Sequence, residues 1–282
     1  DAEANKVGTS QIQFDSDGFT LIGSSPANGD INTNGATFIG WQWQAGQGVS
    51  SSNTNGTITS TVSVNTTAGF SVATYTGNGT SGATIGHGLG VTPSMIIVKR
   101  RDSGGSGWSV YFTTLPAGYV LSLQSTNGQS NSSGRFTTTL PTSSVFSVGT
   151  DSDLNGSGGT YVAYCWAPVA GYSAFGSYTG NGSTDGTFVY LGFRPKFVMI
   201  KRTDSTDDWI MMDSSRSTYN AAILTLYANG NYAEDSNVTN RAEDFLSNGF
   251  KIRSSGVYLN ASGGTYIYMA FAENPFKLSR AR

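Results

Sequence analysis

Few residues in this 282-residue chain have the types and spacing that chemistry needs. TDSDLNGSGG sets Asp151, Asp153 and Asn155 at alternate positions before Gly156. That is the opening of a calcium loop, in which alternate oxygen ligands wrap a hard cation and glycine permits the turn. An EF-hand would offer a bidentate Glu where Val162 stands, and the pattern softens to Asn28, Asp30, Asn32 in an earlier copy and to Gly256, Tyr258, Asn260 in a later one. An Asx-rich turn is therefore the alternative, and no cofactor is expected apart from this calcium candidate. His87, in IGHGLG, would be a general base only beside a nucleophile and an orienting acid. A later copy replaces the segment with VYLGFR, so His87 reads as a loop histidine.

Paired carboxylates for glycoside cleavage are to be sought among Asp204, Asp207, Asp208, Glu234, Asp235, Glu243 and Asp244. All sit in polar stretches where solvated charge is the default. Trp108, Trp209, Tyr111, Tyr119 and Tyr258 would stack on sugar rings if they lay in loops, although Trp108 and Trp209 open strands at equivalent positions, which favours packing. The candidate contact set for a glycan or receptor is Trp108, Tyr111, Trp209, Asp204, Asp207 and Asp208.

The surface that presents these residues is polar but hardly charged. Asp, Glu, Lys and Arg make up 12% of the chain, about half the usual fraction near 25%. A net charge of -2 supplies no basic footprint for phosphates, which argues against nucleic acid and anionic membranes. One cysteine, Cys165, excludes an internal disulfide, and with a single histidine it excludes a Cys/His zinc cluster. No run of apolar residues is long enough to span a membrane, and no signal peptide is read.

The elements that must position the candidates are repeated. YTGNG occurs at Tyr75–Gly79 and again at Tyr178–Gly182. PSMIIVKRRDS from Pro93 matches PKFVMIKRTDS from Pro195, and LNGSGGTYVAYCWA from Leu154 matches LNASGGTYIYMAFA from Leu259. INTNGATFIGWQW from Ile31 and DGFTLIG from Asp17 make a third, partial copy. The organisation expected is a half-module at 1–46, a linker at 47–67, a β-module at 68–168 and its duplicate at 169–282.

Short runs of Val, Ile, Thr, Tyr and Phe between Gly, Asn, Asp and Ser clusters predict an all-β fold of tandem antiparallel, jelly-roll-like sandwiches. Only Ala221–Tyr227 and Ala242–Leu246 suggest a turn of helix. In the last strand of each copy Ile39, Trp41, Trp43, then Val162, Tyr164, Trp166, then Ile267, Met269, Phe271 form one large apolar face, which period two directs toward the core. MIIVK and FVMIK are continuous apolar runs, as in strands covered on both faces by a second sheet or a neighbouring subunit. The Asn-Gly of YTGNG predicts a hairpin turn.

GHGLG-x-x-P followed by an apolar strand and K-x-R, with AFAENPF near the end, resembles the repeated β-rich modules of tail-associated virion proteins of tailed bacteriophages, especially those of marine cyanobacteria. The resemblance covers nearly the whole chain. It implies a non-enzymatic virion protein, assembled in the host cytoplasm and displayed on the particle as a rigid rod of bead-like modules. The role implied is that of a tail fibre or appendage segment, a homotrimer by analogy with many fibres, contacting other tail or capsid proteins and a host-surface glycan or protein. The alternatives are a capsid decoration or tail scaffold without receptor binding, and a glycan-degrading tailspike enzyme.

Overall fold

The computed structural model describes residues 12–15, 18–21, 31–46 and 48–274. Asn28 and Asp30 of the softened calcium pattern lie outside them, as do the closing residues 275–282.

Along the chain come β1 (Ile12–Phe14), β2 (Phe19–Leu21), β3 (Ser51–Asn53), β4 (Ser60–Asn65), β5 (Phe70–Thr76), β6 (Ala83–Gly86), β7 (Met95–Arg100), β8 (Trp108–Phe112), β9 (Tyr119–Ser122), β10 (Ser130–Asn131), β11 (Val145–Val148), α1 (Ser152–Asn155) and β12 (Thr160–Trp166). The second repeat adds β13 (Ser173–Thr179), β14 (Phe188–Tyr190), β15 (Pro195–Arg202), β16 (Trp209–Asp213), β17 (Leu226–Tyr227), β18 (Glu243–Leu246), β19 (Gly249–Ile252), α2 (Val257–Asn260) and β20 (Thr265–Ala272). The chain is all-β, and these strands pair antiparallel throughout.

The two single-turn helices fall on SDLN and VYLN, at the same place in each repeat. Ala221–Tyr227 and Ala242–Leu246, where the sequence suggested helix, instead contain β17 and β18. Pairing decides this: β18 lies against β19 in period two and turns Glu243 and Phe245 inward, which no helical turn would do.

The last strand of each repeat is central in its sheet. β12 lies between β5 and β7 in an eight-stranded sheet ordered β10-β9-β8-β7-β12-β5-β4-β3. β20 lies likewise between β13 and β15 in a five-stranded sheet ordered β13-β20-β15-β16-β17. Residues 47–67, read as a linker, carry β3 and β4 of the larger sheet, because alternation in STVSVN turns Val62 into the first repeat's core beside Ile58.

Both faces of these central strands are buried. Tyr161, Ala163 and Cys165 pack within the first repeat against the small sheet of β6 and β11. Tyr266, Tyr268 and Ala270 do the same in the second repeat, beneath β14, β19 and β18. The large apolar face that period two assigned to the module core has another role: Trp166 with Phe70, Met95 and Ile97 packs on Phe197, Met199, Met269 and Phe271 of the second repeat. Trp41 and Trp43 of the partial copy join this cluster. The repeats therefore lie sheet against sheet and share one apolar layer. Leaving such faces in water would cost on the order of 25 cal/mol for each Å² of apolar surface.

Polar contacts close one rim of this interface. Trp209 Nε1 donates to Ser122 O at 3.1 Å, Lys201 Nζ donates to Thr126 O at 3.1 Å and Gln129 N donates to Thr203 O at 2.7 Å. Burial lowers the Lys201 ammonium to about 8.

Candidate functional site

YTGNG does not turn a hairpin. Tyr75 and Thr76 end β5, and residues 77–79 then leave the sheet and dock on LNGSGG, almost eighty residues away in sequence. Gly77 N donates to Gly159 O at 2.8 Å, Gly158 N donates back to Gly77 O at 2.9 Å and Gly79 N donates to Asn155 O at 2.9 Å. Asn155 clamps the loop with its side chain: Oδ1 accepts from Asn78 N at 2.9 Å, and Nδ2 donates to Thr80 O and Gly149 O. The second repeat copies the arrangement, with Asn260 Oδ1 accepting from Asn181 N at 2.9 Å and Gly182 N donating to Asn260 O at 2.9 Å. Tyr75 stacks on Tyr161 and Tyr178 on Tyr266, and each first tyrosine donates its hydroxyl to the leucine carbonyl of the opposing motif. Glycine is required at the contact, since a Cβ at Gly77 would stand 2.5 Å from Gly156 O. Positive φ at Gly79 and Gly182 is the part of the turn reading that holds.

The calcium candidates belong to the same loop. Asp151 caps α1, its Oδ1 accepting from Asp153 N at 2.8 Å. Arg135 then takes both carboxylates, reaching Asp153 Oδ2 at 2.7 Å and Asp151 Oδ2 at 3.4 Å. Asn155, fully buried, is spent on the YTGNG clasp. The residues thus fit an Asx turn stapled by a guanidinium, and among the described residues no cluster of three or more His, Cys, Asp or Glu is arranged to hold a metal.

The structure does not bring the glycan or receptor candidates together on a surface. Tyr111 is buried in the first repeat's core against Phe136, and Trp209 is buried between the repeats. Trp108 is half-buried in that same contact, stacked on Tyr164. Asp204 is paired with Arg202 and accepts from Thr265 N, as Asp102 does with Arg100 and Thr160 N in the first repeat. Asp207 is buried, which raises its carboxyl, and Asp208 accepts from Asn229 Nδ2 at 2.7 Å. Among the remaining carboxylates, Glu234 binds Arg216, Asp235 binds Arg241 and Asp244 binds Arg253. Asp235 also accepts from Tyr227 Oη, while the Arg241 guanidinium lies over the rings of Tyr227 and Tyr258.

Two groups have no such surface partner. His87 lies on the loop after β6, as expected, and is wholly buried: Nδ1 accepts from Leu89 N, which leaves Nε2 to donate to Thr142 O at 3.1 Å. Burial lowers its pKa. Glu243 is also wholly buried, and neither carboxyl oxygen has a hydrogen-bond partner among the described residues. Burial, with Asp244 adding to it, pushes Glu243 up to about 8.

The concave feature sequence reading missed is a groove of about 270 Å³ between the partial copy and the second repeat. Trp41, Trp43, Tyr172, Phe197 and Phe271 line it, with Lys196, Asp213 and Ser215 at its polar side. Residues 39–43 form one wall because their alternation, read correctly from sequence, turns Ile39, Trp41 and Trp43 inward and leaves Phe38, Gly40 and Gln42 exposed. Trp43 meets Phe197 and Phe271 edge to face at 5.9 and 5.5 Å. The Asp213 carboxylate is held by Ser215 N, Arg216 N and Arg216 Nε. The signal for the groove was the repeated large apolar face, but its second wall comes from β15 and β16, about 150 residues away in sequence.

Tandem all-β repeats packed sheet to sheet, with an aromatic groove where a partial copy meets a complete one, are the class of protein that fold and site define. A family model described as Domain of unknown function (DUF7483) matches residues 1–275, and the chain belongs to that family. No curated protein and no solved structure matches it. Among the described residues no helix is long and apolar enough to cross a membrane.

Proposed function

We propose that this chain is a segment of a tailed-bacteriophage virion appendage, a non-enzymatic structural protein that attaches to a host-surface glycan. The observation that carries attachment is the groove. Aromatic rings beside Lys196 and Ser215 make the composition that stacks on a sugar ring and hydrogen-bonds its hydroxyls. The resemblance to tail-associated modules and the low charge support the setting on a virion. Homotrimeric association, proposed by analogy with fibres, would multiply a weak site into useful avidity.

The test is binding of the labelled, purified chain to host cells, with competition by host glycans. Lys196→Ala combined with Ser215→Ala is expected to weaken binding about tenfold, the effect of losing roughly 1.4 kcal/mol. Unchanged binding in that variant, or none in the wild type, removes the groove from the proposal. Imaging of the virion tests the second reading, a tail or capsid scaffold. The exposure of Phe19 and Phe38 in the partial copy favours that reading, because their counterparts in complete repeats are core residues.

A further inference from the structure

The partial copy is built to the same plan as the complete repeats, as far as it goes. Hairpin β1–β2 pairs Ile12 with Leu21 and Phe14 with Phe19, as β18–β19 pairs Glu243 with Ile252 and Phe245 with Phe250. The loop INTNGA has the geometry of LNGSGG and LNASGG. Ala36 N donates to Thr33 O at 3.1 Å, as Gly159 N does to Gly156 O at 3.0 Å and Gly264 N to Ala261 O at 2.9 Å. Gly35, Gly158 and Gly263 hold φ of 80°, 77° and 74°. From Phe38 to Trp43 exposed and half-buried residues then alternate, the period that β12 and β20 follow after their own loops.

What differs is the cover. In the complete repeats Asn155 and Asn260 each grip a YTGNG segment, and Tyr161 and Tyr266 are completely buried. In the partial copy Asn32 is exposed and Phe38 is 53% exposed. Among the described residues no strand lies beside residues 36–43. Phe19, whose ring lies over Gly40, is itself 36% exposed, whereas its counterpart Phe250 is buried. The inner face of the segment already belongs to the contact between repeats through Trp41 and Trp43. The free face and edge therefore continue an interface the fold has built.

We propose that residues 31–43 with hairpin β1–β2 form an open half-repeat that takes, as an added antiparallel strand, a segment ending in Tyr-Thr-Gly-Asn-Gly or a close variant supplied from outside residues 12–274. Asn32 grips the turn as Asn155 and Asn260 do. The backbone of residues 36–43 pairs with the strand, and the tyrosine of the turn covers Phe38. The partner is not a second copy of residues 31–274, because both YTGNG segments here are seated on their own asparagines and neither can be lent without opening a repeat. This proposal rests on the plan of the repeats and not on the glycan groove, although Gly40 and Gln42 line that groove together with Ile39, Trp41 and Trp43.

The experiment titrates the purified chain with a synthetic peptide of sequence GFSVATYTGNGT, the sequence of residues 69–80, and follows amide resonances by NMR. Saturable shifts confined to residues 31–43 and the hairpin are expected. Asn32→Ala is expected to weaken binding at least tenfold while its melting temperature stays at the wild-type value, since Asn32 is exposed. A peptide with alanine at the position of Gly77 is expected not to bind, because a Cβ there meets a loop carbonyl at 2.5 Å in the first repeat and 2.3 Å in the second. No saturable shift at millimolar peptide, or binding indifferent to both changes, overturns the proposal. Self-association that occupies residues 31–43 without peptide overturns the choice of partner. Glycan binding by the Asn32→Ala chain separates this surface from the groove.

Discussion

Trp209 of the second repeat donates its indole Nε1–H to the main-chain oxygen of Ser122 in the first, at 3.1 Å, from a position 1% exposed. The bond ties together two sheets whose facing surfaces are apolar, so the indole contributes both packing and a second hydrogen bond to a carbonyl that Ser125 N also reaches. Trp209→Ala is expected to cost about 3–5 kcal/mol, the range for emptying a buried aromatic site. Trp209→Phe is expected to cost less, retaining part of the packing while losing the hydrogen bond. Urea unfolding of both variants checks the order. A cost below about 1 kcal/mol for the alanine variant would mean that the repeats do not depend on this contact.

The asparagine clasp gives a second expectation. Asn155→Ala leaves Asn78 N and Gly149 O without their partner, while Thr80 O keeps Ala83 N, and each buried unpaired group costs about 1–3 kcal/mol. Asn260→Ala removes the equivalent bonds from Asn181 N, Ser183 O and Ser254 O. Each variant is expected to expose amides in its own repeat first, which hydrogen exchange resolves residue by residue. Equal loss of protection in both repeats from either single change would show that they unfold as one unit.

Glu243 sets a pH dependence whose sign follows from its burial. Below about pH 4.5 the carboxyl is protonated in both the folded and unfolded chains, and its contribution is fully present. Between there and about 8 the unfolded chain releases the proton while the folded chain keeps it, so stability falls as pH rises. The slope from this one group is at most ~1.4 kcal/mol per pH unit. Phe136 bridges Val148 of β11 in the first repeat where Glu243 pairs with Ile252 of β19, so the fold accepts an apolar side chain at this place. Glu243→Leu is expected to raise the melting temperature more at pH 8 than at pH 5. A gain independent of pH would show that the carboxyl does not carry the effect.

Calcium is expected to leave the melting temperature of the wild-type chain unchanged at millimolar concentration, because Arg135 holds the carboxylates of Asp151 and Asp153. Arg135→Ala releases both and is expected to permit a weak, calcium-dependent rise. A calcium-dependent rise in the wild type, seen by differential scanning fluorimetry, would show that the cation displaces the guanidinium.

Much of the fold was legible because it is written more than once. Matching LNGSGG to LNASGG and YTGNG to itself located the repeats, and alternation along TYVAYCW and TYIYMAFA separated the two faces of each central strand correctly. The candidate site was legible only in part. Trp41 and Trp43 stood out as members of a large apolar face, whereas Tyr172, Lys196 and Phe197, which complete the groove, carry no signal linking them to residues 39–43. Trp108, Tyr111 and Trp209 drew attention as aromatics near polar loops, but residue type does not report burial.

By itself the sequence determined the all-β class, the duplication and the partial third copy, since period-two alternation and repeated turns are local properties of the chain. The tertiary structure alone decided what covers each face. Alternation shows that two sides differ, but which side meets its own small sheet and which meets the other repeat depends on contacts a hundred residues apart. For the same reason YTGNG, read locally as a hairpin turn, proved to be one half of a clasp whose other half is Asn155 or Asn260. An Asn-Gly pair records the backbone angles it permits and not the partner it meets.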